Sequence, residues 1–236
     1  METHLGTSRS DQYRALGLST FAFTICFAVW TIFSIIGVKI KQELGLNDTQ
    51  FGLLVATPVL TGSISRIFLG IWAEQFGGRI IFPMQMLITS ICVWALTFVH
   101  TYEFFLLVAL GIGLAGGSFI VGVSYTSRWF DKNQQGTALG VFGAGNAGAA
   151  VTNFAAPFLV VAIGWEGTAR VYAIILAVTA VLFYILADTD PVQRSRLRAG
   201  QSPMSAGSQL EPLKNIQVWR FATYYFFVFG AFVALA

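Results

Sequence analysis

The stretch GAGNAG, Gly143–Gly148, has the G-x-G-x-x-G spacing of a dinucleotide-binding turn. Such a turn needs a strand before it, a helix opening at the glycines and an acid about 20 residues further on. Glu166 stands at that separation. The surrounding sequence is GTALGVFGAGNAGAAVTNFAAPFLVVAIG, Gly136–Gly164, nearly uncharged and without a turn or strand boundary ahead of Gly143. Helical apolar sequence runs straight through the glycines. The choice lies between a soluble α/β domain and an all-α membrane protein, and this context selects the second.

Composition points the same way. The chain has 236 residues, is 56% hydrophobic and 11% charged, and has a mean hydropathy of +0.70. Soluble domains carry about 25% charged residues, so too few polar atoms are present here to coat a water-soluble globule. The net charge of +3 does not indicate a nucleic-acid partner, because the cations cluster at the edges of apolar runs, where a bilayer places them. Cys26 and Cys92 lie inside apolar runs and read as buried. His4 and His100 lie in the tail and a loop, so no metal site is expected. No cofactor and no redox ligand set is apparent.

Six apolar runs are long enough to span a bilayer, near Leu16–Val38, Phe51–Ala73, Ile80–Val99, Phe104–Ser127, Thr137–Ile163 and Val171–Ala187. A seventh begins at Val218 and is still apolar at Ala236. The first is too long for a signal-peptide core and no small-residue cleavage site follows it. The expected organisation is a cytoplasmic tail (1–15), a six-helix bundle (16–187), a cytoplasmic linker rich in Ser, Pro, Gly and charge (188–217), and the start of a seventh transmembrane helix (218–236), the chain ending inside a longer protein. Arg9, Arg14, Arg79, Arg128, Lys132, Arg194, Arg196, Arg198, Lys214 and Arg220 fall on one side, and Lys39, Lys41 and Arg170 on the other. The positive-inside rule then puts the N-terminus in the cytoplasm. Six spans, a cytoplasmic linker and more spans is the plan of a two-halved transporter.

Within a membrane helix, glycine and alanine allow close backbone approach. Gly136, Gly140 and Ala144 are spaced by four, with Gly145 and Ala149 beside them. Packing explains these residues but not Asn146 and Asn153, whose amides lie in low dielectric at a cost unless paired. An interhelical hydrogen bond accounts for Asn153; for Asn146 a pore-facing role is the expectation. Arg66 lies about 10 Å deep in the second run, counted from Ala73 at 1.5 Å per residue. No Asp or Glu lies inside any of the six runs, and a bare cation in the bilayer core costs at least ~2.5–3.5 kcal/mol. Such a residue marks a functional site: it faces a watery cavity and awaits an anion. Its forked guanidinium suits a small planar oxyanion.

GIWAEQFGGR, Gly70–Arg79, resembles the loop after the second helix in the major facilitator superfamily, with Gly70, Glu74, Gly77 and Arg79 filling the motif. Glu74 replaces the usual Asp, and Gly78 stands where an Arg is common. In that superfamily the loop gates the cytoplasmic side. AGGSFIVGVSYTSRWFDKNQQGTALGVFGAGNAGAAV, Ala115–Val151, more specifically resembles the fourth and fifth helices of the nitrate/nitrite porter family. Its glycine-rich signature surrounds a Gly-Asn-x-Gly core, here Gly145-Asn146-Ala147-Gly148, with Gly143 just ahead of it. FAVWTIFSIIG, Phe27–Gly37, and VWRFATYYFFVFGAF, Val218–Phe232, extend the likeness, which is nearest to the nitrate/proton symporter branch. The resemblance implies that Arg66 grips the anion, Asn146 donates to it, Phe119 stacks on it and Tyr225, with Tyr224 as the alternative alignment, supplies a hydroxyl donor. It also implies a second arginine in a later helix beyond this sequence.

The resemblance thus implies a non-enzymatic carrier of the bacterial inner membrane, monomeric at full length, importing nitrate by alternating access with proton symport. Nitrate/nitrite antiport, or transport of another small anion, is the alternative.

Overall fold

The computed structural model describes residues 7–235, and every regular element among them is a helix. Residues 1–6 of the expected tail, including His4, and Ala236 of the expected seventh span lie outside the described residues, as do the side chains of 232–235.

Five helical runs are long and apolar enough to cross a membrane. The first, α1 (Arg9–Leu44), starts at a Ser8 cap, whose hydroxyl accepts from the Asp11 N–H at 3.1 Å. It bends at Thr31–Ile32, where the Thr31 hydroxyl bonds back to the Phe27 carbonyl at 3.1 Å, a habit that bends helices. α2 (Asp48–Phe76) opens on a capping box in which Asn47 and Gln50 satisfy each other's main-chain N–H groups. α3 (Gly78–Phe98) and α4 (Tyr102–Ser127) follow, α4 tightening to a 3-10 helix at Gly113–Gly117.

The fifth run covers 55 residues, Lys132–Leu186. At 1.5 Å per residue that is about 80 Å, far more than the ~30 Å of bilayer hydrocarbon, so it must turn. It turns at Gly164, whose φ of 75° and ψ of 171° are open to glycine and strained for other residues. This divides it into α5 (132–163) and α6 (165–186). The apolar pattern ends one run at Ile163 and starts the next at Val171, which leaves 164–170 as a connection. Instead α6 begins at once, because Glu166 pairs with Arg170 one turn on at 3.3 Å and the Thr168 hydroxyl bonds back to the Gly164 carbonyl at 2.8 Å. The polar residues are its first turn.

Helix pairs are joined by hydroxyls donating to main-chain carbonyls. Thr152 of α5 donates to Ala28 of α1 at 2.7 Å, and Ser90 of α3 to Ala173 of α6 at 2.8 Å. The Trp30 indole of α1 reaches the Pro58 carbonyl of α2 at 3.0 Å. Large apolar side chains such as Phe154, Phe158 and Val161 point outward on α5, an arrangement that hydrocarbon tolerates and water does not.

The linker is more ordered than its composition suggests. Asp190 caps α7 (Pro191–Arg198), its carboxylate accepting from the Gln193 N–H at 2.8 Å, with Pro191 in the first turn. Both Asp190 and Gln193 are buried against the bundle. After a one-turn helix, Ala206–Gln209, the chain enters α8 (Ile216–Leu235).

Candidate functional site

Arg66 sits half-buried in the middle of α2. Its Nε–H donates to the Gly116 carbonyl of α4 at 3.2 Å. Two rings flank the guanidinium, with centroids 5.9 Å (Phe119) and 5.1 Å (Phe229) from Cζ. The Tyr225 phenol faces the guanidinium closely enough to interact with it. The three rings form a run: Phe119 and Tyr225 are stacked at 6.2 Å and 25°, and Tyr225 and Phe229 at 5.1 Å and 8°. Among the described residues, no carboxylate lies within ion-pair distance of Arg66. Cation–π contact steadies the charge without neutralising it. What results is a cation held in place with its forked end unclaimed by any acid.

The backbone makes this seat possible. α2 and α4 cross so closely that a Cβ on Gly116 would lie 2.9 Å from the Trp30 ring and 3.1 Å from the Cα of Gly62. Any side chain there would push the Gly116 carbonyl away from Arg66.

Of the expected site residues, Arg66, Phe119 and Tyr225 come together. Tyr225 is the more enclosed of the two candidate tyrosines, at 43% exposure against 67% for Tyr224. Phe229 joins them from one helical turn after Tyr225 on the same face, a spacing the sequence carries without marking it as a site. The Gly116 carbonyl had no sequence signal at all.

Asn146 stands apart from this group. Its Nδ2 donates to the Gly143 carbonyl on its own helix at 2.7 Å, while Oδ1 is buried and without a partner among the described residues. The segment Ala144–Ala147 winds as a 3-10 turn within the helical run, not as a strand-to-helix turn. The signature glycines divide in two. A Cβ on Gly145 would lie 2.4 Å from the Phe23 ring, and one on Gly148 would lie 2.2 Å from the Thr24 carbonyl of α1. Gly143, like Gly136 and Gly140, has no atom within 4 Å of where a Cβ would stand. The core of the signature is thus a contact with α1, and the four-spaced stripe is open.

The gating-loop residues are built into a charged network at the opposite end of α2 from its Asn47 cap. Glu74 accepts from Arg128, the residue that caps the end of α4, and, at 2.6 Å, from the Ser124 hydroxyl. Arg128 also reaches Asp190 at 3.3 Å, and Arg196 of α7 donates to the Glu74 carbonyl at 3.0 Å. Gly77, at φ 87°, turns α2 into α3 against the side chain of Gln193. The departure from the motif at Gly78 has a cause: a Cβ there would lie 2.6 Å from Cβ of Tyr125, so no arginine fits. Arg79 turns instead to the Tyr184 ring, 5.7 Å away. Gly70 packs near Ile120 and lines one cavity together with Arg66 and Glu74.

The described residues form a bundle of membrane-length helices around Arg66, the build of a multi-pass membrane protein. The chain belongs to the Major Facilitator Superfamily, whose family model matches residues 18–236. It is 40% identical over 98% of its length to a Thermus thermophilus protein named "Probable nitrate/nitrite antiporter NarK1", of which 54% is covered. It is 32% identical over 94% of its length to the "Nitrite extrusion protein" of Bacillus subtilis, of which 55% is covered. It is also 32% identical over 93% of its length to the "Probable nitrate transporter NarT" of Staphylococcus epidermidis, again with 55% covered. The chain spans about half the length of the curated relatives it matches. The likeness to nitrate/nitrite porters drawn from the motifs is borne out by these relatives.

Proposed function

We propose that the chain forms the first half of a nitrate carrier of the bacterial inner membrane, with the N-terminus in the cytoplasm. The observation that carries this reading is Arg66, held by the Gly116 carbonyl and aromatic rings and without a carboxylate partner. A flat oxyanion accepts paired hydrogen bonds from a guanidinium, and Phe119 and Tyr225 offer a ring face and a hydroxyl beside it. Binding neutralises the buried charge and lets the two halves close over the anion. Asn146, whose Nδ2 here donates to the Gly143 carbonyl, lies within the signature and is proposed to turn that N–H group toward the anion in another state of the transport cycle.

Import is proposed to proceed with protons. An anion entering against an inside-negative potential is opposed by ~2.3 kcal/mol per 100 mV, and a co-transported proton offsets this. Nitrate/nitrite exchange is the second reading, favoured by the name of the Thermus relative. Uptake of labelled nitrate into vesicles bearing the full-length protein tests the site. It should be abolished in Arg66→Lys, which keeps the charge and loses the fork; undiminished uptake there would refute the assignment.

A further inference from the structure

Three close contacts fix the register of the seam between α3 and α4. A Cβ on Gly78 would lie 2.6 Å from Cβ of Tyr125, one on Gly122 would lie 3.4 Å from the Phe82 ring, and one on Gly111 would lie 2.3 Å from Sγ of Cys92. The helices therefore run antiparallel, with Phe82 to Cys92 of α3 against Gly122 to Gly111 of α4. Between these contacts, the positions that helical spacing turns into the seam are Gln85 and Thr89 on α3, and Ala115 and Ser118 on α4.

The three polar side chains there are sealed from solvent: Gln85 is 1% exposed, and Thr89 and Ser118 are 0% exposed. The Gln85 Nε2 donates at 2.9 Å to the Leu114 carbonyl, inside the 3-10 turn Gly113–Gly117, which leaves its Oε1 without a partner among the described residues. The Thr89 hydroxyl has no partner there either. The Ser118 hydroxyl meets only the Cys26 thiol of α1, a weak hydrogen-bonding group. Hydroxyls elsewhere in the bundle behave differently. Those of Thr57, Thr61, Thr97 and Thr179 each bond back to a carbonyl of their own helix. A polar atom sealed in low dielectric costs free energy until something bonds it.

We propose that the α3–α4 seam holds a resident water, bound by Gln85 Oε1 and the hydroxyls of Thr89 and Ser118. The donor set selects this ligand. An amide oxygen repels an anion, and no carboxylate stands at the seam positions to balance a cation. Water donates to Oε1 and bonds both hydroxyls, within the two to four bonds that a buried water makes. Ala115, one turn before Ser118 on the same seam, is small enough to leave room for it. None of the three polar residues lines the cavity into which Arg66 opens, so this water is a fixed part of the bundle. Ser118 follows Gly116 by two residues, and the water thus braces the turn whose carbonyl holds Arg66. The site does not depend on the nitrate reading.

Two measurements on the full-length protein test it. A structure at a resolution that shows ordered water should place a peak within hydrogen-bonding distance of Gln85 Oε1, Thr89 Oγ1 and Ser118 Oγ. Other buried waters visible and no peak here would overturn the proposal. Melting of Thr89→Val, Ser118→Ala and the double variant answers the question separately. Each single change strips the water of one bond and should lower the melting temperature by roughly 2–4 °C. The pair should lower it by less than the two losses together, because a shared water is lost once. Hydroxyls with nothing to bond would instead be relieved by removal, so unchanged or higher melting temperatures, or additive losses, refute the shared water.

Discussion

The Nε–H of Arg66 and the main-chain carbonyl of Gly116 meet at 3.2 Å across the α2–α4 crossing. This one bond ties the anion-binding candidate to helix packing, because the carbonyl is within reach only while residue 116 has no side chain. Gly116→Ala would drive a Cβ to 2.9 Å from the Trp30 ring. It should lower stability by roughly 1–3 kcal/mol, as overpacking does, and reduce nitrate binding further than thermal melting alone accounts for.

The signature glycines should separate by experiment. A methyl at Gly148 would sit 2.2 Å from a main-chain oxygen of α1, whereas one at Gly143 meets nothing within 4 Å. Gly148→Ala should destabilise the purified protein by roughly 1–3 kcal/mol, and Gly143→Ala should leave its melting temperature within error. Equal effects would show that the signature does not work through the α1 contact.

The two neighbouring tyrosines should differ as sharply. Tyr225→Phe removes a hydroxyl that faces Arg66 while preserving the stack with Phe229. Nitrate affinity should fall by roughly two- to thirteenfold, the effect of a hydrogen bond worth about 0.5–1.5 kcal/mol. Tyr224→Phe should change nothing in the same binding titration.

Arg128 bonds two acids, and Asp190 is almost fully enclosed. Arg128→Ala leaves that carboxylate buried and uncompensated, which should destabilise the fold by about 3–5 kcal/mol. Replacing both residues, Arg128→Met with Asp190→Leu, should recover part of the loss in the same melting assay, since an apolar pair leaves no charge stranded.

Asn146→Ala removes an amide that here bonds only its own helix, at the Gly143 carbonyl. Melting should shift by no more than about 1 kcal/mol in stability. If the amide turns to the anion during the cycle, labelled-nitrate uptake by the full-length protein should nevertheless fall.

Much of the architecture was legible in the chain because a bilayer imposes a simple rule: long apolar runs must be helices. That rule identified the spans, excluded the dinucleotide reading of GAGNAG and drew attention to Arg66 as a cation without a local acid. It could not show that 165–170 is already helix, because a turn at Gly164 and a loop read alike in composition. Nor could it show Asp190 sealed beneath Arg128, or Gly78 pressed against Tyr125, since both contacts join residues far apart in sequence. The seat around Arg66 divides in the same way. Residue types supplied the charge, the rings and the hydroxyl. Only the approach of α2 to α4 supplied the Gly116 carbonyl, and only the return of α8 brought Tyr225 and Phe229 beside the guanidinium. Hydropathy acts along the chain and can be read from it, whereas a main-chain carbonyl becomes a partner only through the distance between two helices.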